Sequence, residues 1–296
     1  MAPWCWPCPP ARPADPRTDL NNTLPTVARN LRPTRPAPRS APRTAWGWAW
    51  AGALAGVLPA VVGFAPAHWL AGGVARATQG QVQLLQPRGT VWTGSAQLVL
   101  TGGQASKDSA ALPGRVDWQL RPTWGGLRAR LQAGCCTPEH LQAQVHLRWA
   151  GPQITLADGQ SQWPAALLAG LGTPWNTLQP QGQLALQTRA LAVQWAAGRM
   201  VLSGQAQLDA RAMSSRLSTL RPMGSYRLVL QGGEVPTLAL STLDGALQLS
   251  GSGQWVGNRL RFAGEASAAP EREAALSNLL NIIGRRNGAR SIITVG

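Results

Sequence analysis

Hydrophobic and polar positions alternate along most of the chain after residue 76. The alternation is clearest at 81–84, 116–120, 183–187 and 246–250. Because successive side chains of a strand point to opposite faces of a sheet, this period of two indicates half-buried antiparallel strands. Glycine pairs at 102–103, 125–126 and 232–233 separate such segments and predict turns or bulges.

A weak internal repeat lies within this strand pattern. Residues 91–98 resemble residues 201–208, and 250–255 repeat part of the same pattern. In each copy a small hydroxyl residue and a glycine interrupt a strand. The repeat predicts two related β-layers or one duplicated sheet, with Gly94 and Gly204 at strand ends or bulges. Chance similarity between glycine-punctuated strands is the alternative.

Helices are predicted at few places in this region. Residues 163–170 predict a short helix, and residues 270–283 a longer one, with proline at its start and Gly284 at its end. Its apolar residues recur at helical spacing: Leu276, Leu279, Leu280 and Ile283. This stripe predicts packing on the sheet, with partner binding as the alternative. Residues 291–295 predict a final edge strand.

A different pattern precedes the strands. Residues 45–75 contain no Lys, Arg, Asp or Glu, and about 20 apolar residues suffice to cross a bilayer. Tryptophans flank the run at both ends: Trp46, Trp48, Trp50 and Trp69. Indoles favour membrane interfaces, and prolines such as Pro59 and Pro66 are tolerated in membrane helices. The run predicts one transmembrane helix.

The distribution of arginines predicts the orientation of this helix. Five arginines lie just before the run: Arg29, Arg32, Arg35, Arg39 and Arg43. Only Arg76 and Arg88 follow soon after it. The positive-inside rule then places the N-terminus in the cytoplasm and the bulk of the chain in the periplasm. A signal peptide cleaved near Ala65-Pro66-Ala67 is the alternative, disfavoured by the proline and by the length of the run.

These patterns together predict the domain organisation and the fold class. Residues 1–44, rich in Pro and Arg, predict a disordered cytoplasmic tail. Residues 45–75 form the transmembrane signal anchor, and residues 76–296 form a periplasmic domain. The fold class is mainly β, an antiparallel β-rich domain with a few short helices after the N-terminal transmembrane helix.

The net charge of +15 does not change this picture. Lys107 is the single lysine, and residues 1–44 carry +5 of the charge while the other residues carry +10 without a cluster. No RNA-recognition, zinc-finger or helix-turn-helix pattern accompanies the charge. We therefore expect no nucleic-acid function, since charge without a motif mostly gives non-specific attraction.

The four cysteines predict no metal site. Cys5 and Cys8 form a C-x-x-C pair in the proline-rich tail, without the second pair that a zinc site needs. Cys135 and Cys136 are adjacent, and an ordinary disulfide between neighbours is strained. Pairing between molecules or burial as free thiols are the two expectations for them.

No catalytic motif is present, so we expect no enzyme, no catalytic residue, no cofactor and no metal. The histidines are His68, His140 and His146, and none forms an i, i+4 metal-binding pair. The sequence has no G-x-S-x-G elbow, no S-x-x-K motif, no phosphate loop and no dinucleotide fingerprint. Carboxylates brought together from distant strands would leave no such trace.

Several motifs of the exported region carry a resemblance to a known family. They are G-x-V-W-x-G-x-A at 89–96, VDWQLRP at 116–122, LDGALQLSGSGQW at 243–255, FAGEA at 262–266 and LLNIIG at 279–284 with Gly288. In these motifs the region resembles the type II secretion system protein N family. It covers about residues 45 to 296, and the proline-rich tail before it is atypical of the family.

The resemblance implies an inner-membrane accessory or structural component of the machine that exports folded periplasmic proteins across the outer membrane. It implies partners among the other inner-membrane platform proteins and the outer-membrane channel, and no catalytic residues. The alternative is an AsmA-like periplasmic lipid-handling envelope protein, which would show a continuous apolar groove open to solvent instead of a closed core. A periplasmic hydrolase, a weaker alternative, would need converging carboxylates or a Ser–His pair.

Overall fold

The computed structural model describes residues 46–296 apart from 104–105, 149–150, 197–198 and 258. The predicted tail at 1–44, with Cys5 and Cys8, lies outside the described residues. The helices in the described part are α1 (Trp46–Gly63), α2 (Ala67–Ala77), α3 (Trp175–Leu178) and α4 (Glu273–Ile283), with 3₁₀ helices at Ala165–Leu171 and Pro270–Arg272.

The strands of the described part of the chain follow in order. They are β1 (Val82–Gly89), β2 (Thr93–Thr101), β3 (Ser109–Ala111), β4 (Val116–Thr123), β5 (Gly126–Ala133), β6 (Leu141–Arg148), β7 (Gly151–Leu156), β8 (Gly159–Pro164), β9 (Gln181–Ala196), β10 (Arg199–Ser214), β11 (Gly224–Gly233), β12 (Thr237–Gly245), β13 (Leu247–Val256), β14 (Arg259–Ala268), β15 (Arg285–Asn287) and β16 (Arg290–Val295). The predicted mainly β, antiparallel class is confirmed.

All these strands join one continuous sheet. Its order is β1-β2-β4-β5-β6-β7-β9-β10-β11-β12-β13-β14-β16-β15, with β3 paired to β2 and β8 paired to β9. Neighbours are antiparallel, and most are also consecutive in the chain. The repeat copies at 91–98 and 201–208 therefore lie in the same sheet, in β2 and β10, and not in two separate layers.

Alternation along the strands divides the sheet into an apolar and a polar face. Leu208, Leu228 and Leu240 are register partners on three successive strands, so they share one face. The next row, Asp209 and Arg227, lies on the other face. Because side chains alternate with period two, each strand contributes to both faces. Helices α2 and α4 and the 3₁₀ helix Ala165–Leu171 pack on the apolar face.

The repeat glycines occupy the predicted kinds of position. Gly94 is the second residue of β2, and Gly204 lies where the β9–β10 register shifts. Gly204 has φ +81°, and a Cβ there would lie 2.1 Å from the Ala190 carbonyl oxygen. The bulge therefore requires glycine. The prediction for both glycines is confirmed.

Helix α4 closes the C-terminal part of the apolar face. It contacts β14, β15 and β16, and Leu276, Leu279 and Leu280 are at most 1% exposed. They join a core cluster with Leu247 and Ala266 of the sheet. The predicted packing of this stripe on the sheet is confirmed. Pro270–Arg272 forms a 3₁₀ turn before α4, and 291–295 lie in β16, as predicted.

The uncharged run 45–75 differs from the single helix that was predicted. It forms two helices, α1 and α2, separated at residues 64–66. Pro66 takes an extended conformation as the residue before α2. Proline has no N–H to continue the ladder of helix hydrogen bonds, and it disfavours helical geometry at the residue before it. The break falls where the chain turns onto the sheet.

The adjacent cysteines also differ from the expectation. Cys135 and Cys136 are joined to each other by a disulfide, not to another molecule and not as free thiols. They lie in the turn between β5 and β6, where the backbone N–H groups of Cys136 and Thr137 both donate to the Ala133 carbonyl. Cys136 is buried beside Leu112 and Leu167.

Candidate functional site

Helix α1 has the properties of a membrane span. It is 18 residues long, about 27 Å at 1.5 Å per residue, and by length and composition it suffices to cross a bilayer. Every side chain described within it is exposed to solvent. An apolar helix whose side chains stay exposed in the described part of the chain needs another apolar environment.

The end of α1 is hydrogen-bonded to the first turn of the sheet. The Trp92 indole Nε1 donates to the Val62 carbonyl over 2.7 Å, and the Val91 N–H donates to the Ala65 carbonyl over 2.8 Å. Carbonyls in the last turn of a helix have no partner within the helix. The β1–β2 turn supplies such a partner and thereby ties the sheet to the end of α1.

The G-x-V-W-x-G-x-A run, residues 89–96, builds this turn. Gly89 has φ +87°, and a Cβ at Gly94 would lie 2.6 Å from the Trp118 ring. Trp118 is buried, and its Nε1 donates to the Val91 carbonyl over 3.0 Å. The glycines therefore let the turn close over Trp118, and Trp92 is left free to reach α1.

An apolar cavity of about 410 Å³ lies between α2 and the N-terminal part of the sheet. Its apolar lining residues are Leu70, Val74, Leu84, Leu98, Val116, Trp118, Leu120, Ala129, Leu131, Ala133, Leu141 and Trp163, and the others are Gln132 and Thr137. Leu131 is 38% exposed, so the cavity communicates with the surface. Cavities of this volume are typical of sites that bind small ligands.

The polar groups around this cavity bond within the protein. Thr137 Oγ1 accepts from the Ala133 N–H over 2.8 Å, and Trp163 Nε1 donates to Ser161 Oγ over 2.9 Å. Gln132 pairs in register with Asp117 on the polar face, so its side chain points away from the cavity. The cavity therefore offers a ligand an apolar surface to contact but almost no hydrogen-bonding partners.

A polar concavity of about 710 Å³ lies on the opposite face of the same strands. Arg88, Asp117, Arg130 and His140 line it, and Asp117 is the one carboxylate among its described lining residues. The Ser95 hydroxyl there accepts from Arg115 Nε over 3.1 Å. The concavity therefore lacks the converging carboxylates that a hydrolase would need.

The histidines and carboxylates are dispersed across the described residues. His68 and His140 are exposed, and His146 lies 3.2 Å from the Gln144 amide oxygen. In the described ranges no three His, Cys, Asp or Glu side chains cluster as metal ligands would. Carboxylates instead form separate ion pairs, such as Glu273 with Arg286 and Glu265 with Arg290.

The most buried of these ion pairs lies on the polar face of β10 and β11. Asp209 accepts from Arg227 Nε over 2.7 Å and from Arg227 Nη2 over 3.0 Å. The hydrogen bonds from Arg227 hold the pKa of Asp209 below its ordinary value of 3.8, although burial opposes them. This two-point geometry is the strongest form of Arg–carboxylate pair, and its position on the closed half of the sheet indicates a structural role.

Sequence reasoning missed the apolar cavity because α2 was assigned to the membrane span. The available signal is the spacing of Leu70 and Val74 at i, i+4, with His68 and Arg76 exposed on the same helix. That spacing is typical of an amphipathic helix on a protein surface and not of a span.

Comparison with known proteins identifies the family of the domain. No curated protein matches the chain, and no solved structure matches it. The family model for type II secretion system (T2SS), protein N matches residues 80–293. This range contains β1 to β15, most of β16 and α4, as well as the turn that holds α1. The chain therefore belongs to the type II secretion system protein N family.

Proposed function

We propose that this protein is an inner-membrane accessory or structural component of the type II secretion system that takes part in export of folded proteins across the outer membrane. The observation that carries the proposal is the family match over residues 80–293, in a chain whose α1, Trp46–Gly63, is an apolar helix of spanning length. The family is a secretion accessory component and not a known enzyme family.

The proposed topology is single-pass, with the N-terminus cytoplasmic and the sheet periplasmic. Support comes from the arginines at 29–43 before α1 and their scarcity just after it. The Cys135–Cys136 disulfide adds independent support, because disulfides persist in the periplasm and are rare in the cytoplasm. The proposed partners are other inner-membrane platform proteins and the outer-membrane channel.

A charge in the centre of α1 tests the anchor and the secretion role together. The Leu54→Arg variant is expected to lose membrane retention and export of cargo, because an arginine at the centre of a span costs about 3 kcal/mol. Trp46→Arg at the cytoplasmic end of α1 is the matched control and should retain both. The measurements are membrane fractionation and the amount of cargo outside cells that lack the native copy. Normal export by both variants would contradict the proposal.

Partner identity is tested by in-cell crosslinking of the full chain. A photoreactive residue placed at Trp92, beside α1, or at Trp255, on β13, should capture other secretion platform proteins, identified by mass spectrometry. Trp255 lies on the sheet far along the chain from the anchor, so the two positions sample different surfaces. Absence of any secretion component from both sets of products would count against the proposed partners.

Lipid handling, the AsmA-like alternative, is a second candidate function. The observation that favours it is the apolar cavity of about 410 Å³ beside α2, which is the kind of open apolar site this alternative requires. The closed packing under α4 does not favour it. Both functions are compatible with an anchored periplasmic domain, and their tests are independent.

A further inference from the structure

We propose that the cavity beside α2 binds one acyl chain of a phospholipid from the membrane that α1 spans. The inference deepens the lipid-handling candidate and relies on the proposed anchor. It does not depend on the secretion role. The argument rests on the apolar lining of the cavity, on the strands over which that lining extends, and on the closeness of α2 to the end of α1.

The chemistry of the lining selects an apolar ligand. Thr137 and the indole N–H groups of Trp118 and Trp163 are already bonded to protein atoms, so a polar ligand would lose its hydrogen bonds with water and regain none. Water fills an apolar cavity poorly for the same reason. A hydrocarbon loses nothing on entering, and it gains by burying its surface.

The shape of the lining selects a chain over a compact ring. The wall runs across five neighbouring strands of the sheet, from Leu84 on β1 to Leu141 on β6. At about 4.8 Å per strand, four steps span about 19 Å. A volume of about 410 Å³ drawn out over that length is narrow, as an extended acyl chain requires.

The position of the cavity selects the bilayer as the source of that chain. Leu70 and Val74 of α2 form one wall, and α2 begins four residues after the end of α1. The hydrogen bonds of Trp92 to Val62 in α1, and of Val91 to Ala65 just after α1, tie the neighbouring turn to the same place. The cavity is thus held close to where the span leaves the membrane.

Headgroup recognition is not part of the inference, because the cavity presents no charged side chain. The headgroup would stay in solvent at the opening beside Leu131. Binding should therefore depend on the acyl chain and tolerate different headgroups. An acyl chain carried by a lipid-modified protein has the same chemistry, and the mass of the captured species separates that source from a phospholipid.

The test is photocrosslinking in cells from two matched positions of the full chain. Leu131 lines the cavity and is 38% exposed, whereas Leu243 lies on β12 away from the cavity and is 45% exposed. Each is replaced by benzoylphenylalanine, and the intact masses of the purified products are measured after irradiation. We expect the mass of a phospholipid to be added at position 131, and about tenfold less of this adduct at position 243. The difference is that between an occupied site and chance contact with lipid.

The second part of the test fills the cavity with a larger side chain. Ala129→Trp adds bulk inside the cavity, and Ala239→Trp adds the same bulk at an exposed strand position. Ala129→Trp should lower the lipid adduct at position 131 by about tenfold, and Ala239→Trp should leave it unchanged. Thermal unfolding of both variants shows that the fold is retained.

Four outcomes would overturn the inference. These are equal lipid adducts at positions 131 and 243, a protein or lipid-modified protein as the captured species, no adduct at position 131, and an adduct unaffected by Ala129→Trp in a folded protein. None of them bears on export of cargo by the Leu54→Arg and Trp46→Arg variants. Failure of this inference and failure of the secretion role are therefore distinguishable.

Discussion

Two helices cover the same apolar face of the sheet, and they do so with opposite results. Helix α4 inserts Leu276, Leu279 and Leu280, all at most 1% exposed, and joins the closed C-terminal core. Helix α2 buries only Ala67 and leaves a cavity of about 410 Å³. One architecture therefore gives a closed core at one end of the sheet and an open cavity at the other.

The difference lies in the bulk that each helix presents to the sheet. Three leucines of α4 fill the space above β14 and β16, whereas the α2 side chains that line the cavity are Leu70 and Val74. Interiors normally pack to the density of organic crystals, so a space of this size under a helix is exceptional. The sheet is therefore closed by packing under α4 and left with an open cavity beside α2.

The polar faces of the two regions differ as well. In the C-terminal region the Asp209 carboxylate accepts hydrogen bonds from Nε and Nη2 of Arg227. In the N-terminal region Arg130 Nε is buried with no hydrogen-bond partner among the described residues. Buried polar groups normally have partners. Tyr226 Oη, in the core beneath α4, also lacks a partner among the described residues, so the two regions differ in the Arg–carboxylate pair of their polar faces and not in the number of such atoms.

The largest expected effect is the loss of the closed core. Leu280→Asp buries a carboxylate where the side chain is fully buried, which should destabilise the protein by more than about 4 kcal/mol and prevent accumulation of folded protein. Ile282→Asp on the same helix is the control, because Ile282 is 46% exposed. A stable Leu280→Asp variant would mean that α4 faces a partner and not the sheet.

Leucine truncation on each helix compares the two regions directly. Leu279→Ala should lower the free energy of unfolding by about 2–5 kcal/mol, because it opens a void in a packed core. Leu70→Ala should cost about 1 kcal/mol, since its side chain already borders the cavity and is partly exposed. Urea unfolding of both variants measures the contrast. Equal losses would show that the α2 region is as tightly packed as the α4 region.

Removal of the Asp209 charge should have an intermediate effect. Asp209→Asn weakens two charge-assisted hydrogen bonds and should cost about 2 kcal/mol at neutral pH. The folded-state pKa of Asp209 lies below its unfolded value of about 3.8, so its contribution to stability is complete above that value and disappears as pH falls through the folded-state pKa. The variant should therefore approach the native protein in stability only in strong acid.

A carboxylate of the other region is the control for that experiment. Asp117 is exposed on the polar face of β4, and Asp117→Asn should change stability by less than about 0.5 kcal/mol. Thermal melts of both variants at neutral and acidic pH give the comparison. A pH dependence of Asp209→Asn equal to that of the native protein would show that another group carries the acid sensitivity.

The smallest expected effect is a gain in the stability of the fold. Val74→Leu adds one methylene to the wall of the open cavity and should raise stability by about 0.5 kcal/mol. Ala77→Val, on an exposed position of the same helix, should bring no gain. Differential scanning calorimetry resolves such shifts when the two variants are run beside the native protein. A loss with Val74→Leu would show that the cavity has no spare room at that point.

Local periodicity determined much of this architecture. Alternation at 116–120 and 246–250 located β4 and β13, and the leucine stripe of 270–283 located a helix that packs on the sheet. Gly204 was placed at a bulge from a strand pattern interrupted by glycine. These features depend on residues only a few positions apart in the chain, so the sequence pattern alone can predict them.

Tertiary structure decided what the local pattern left open. Whether the repeat copies form layers or one sheet depends on strand partners far apart in the chain, and all strands joined one sheet. The division of 45–75 into two helices arises where Pro66 meets the turn of β1 and β2. The Cys135–Cys136 disulfide arises in the tight turn at Ala133.

The sequence by itself determined the fold class, the apolar helix at the start of the domain and the family. Each of these follows from a residue pattern that lies within a short segment or a motif. The apolar cavity was decided only by the tertiary structure, because its walls come from α2, five strands and Trp163. An empty volume is a property of how those side chains fail to fill space together, and no single segment encodes it.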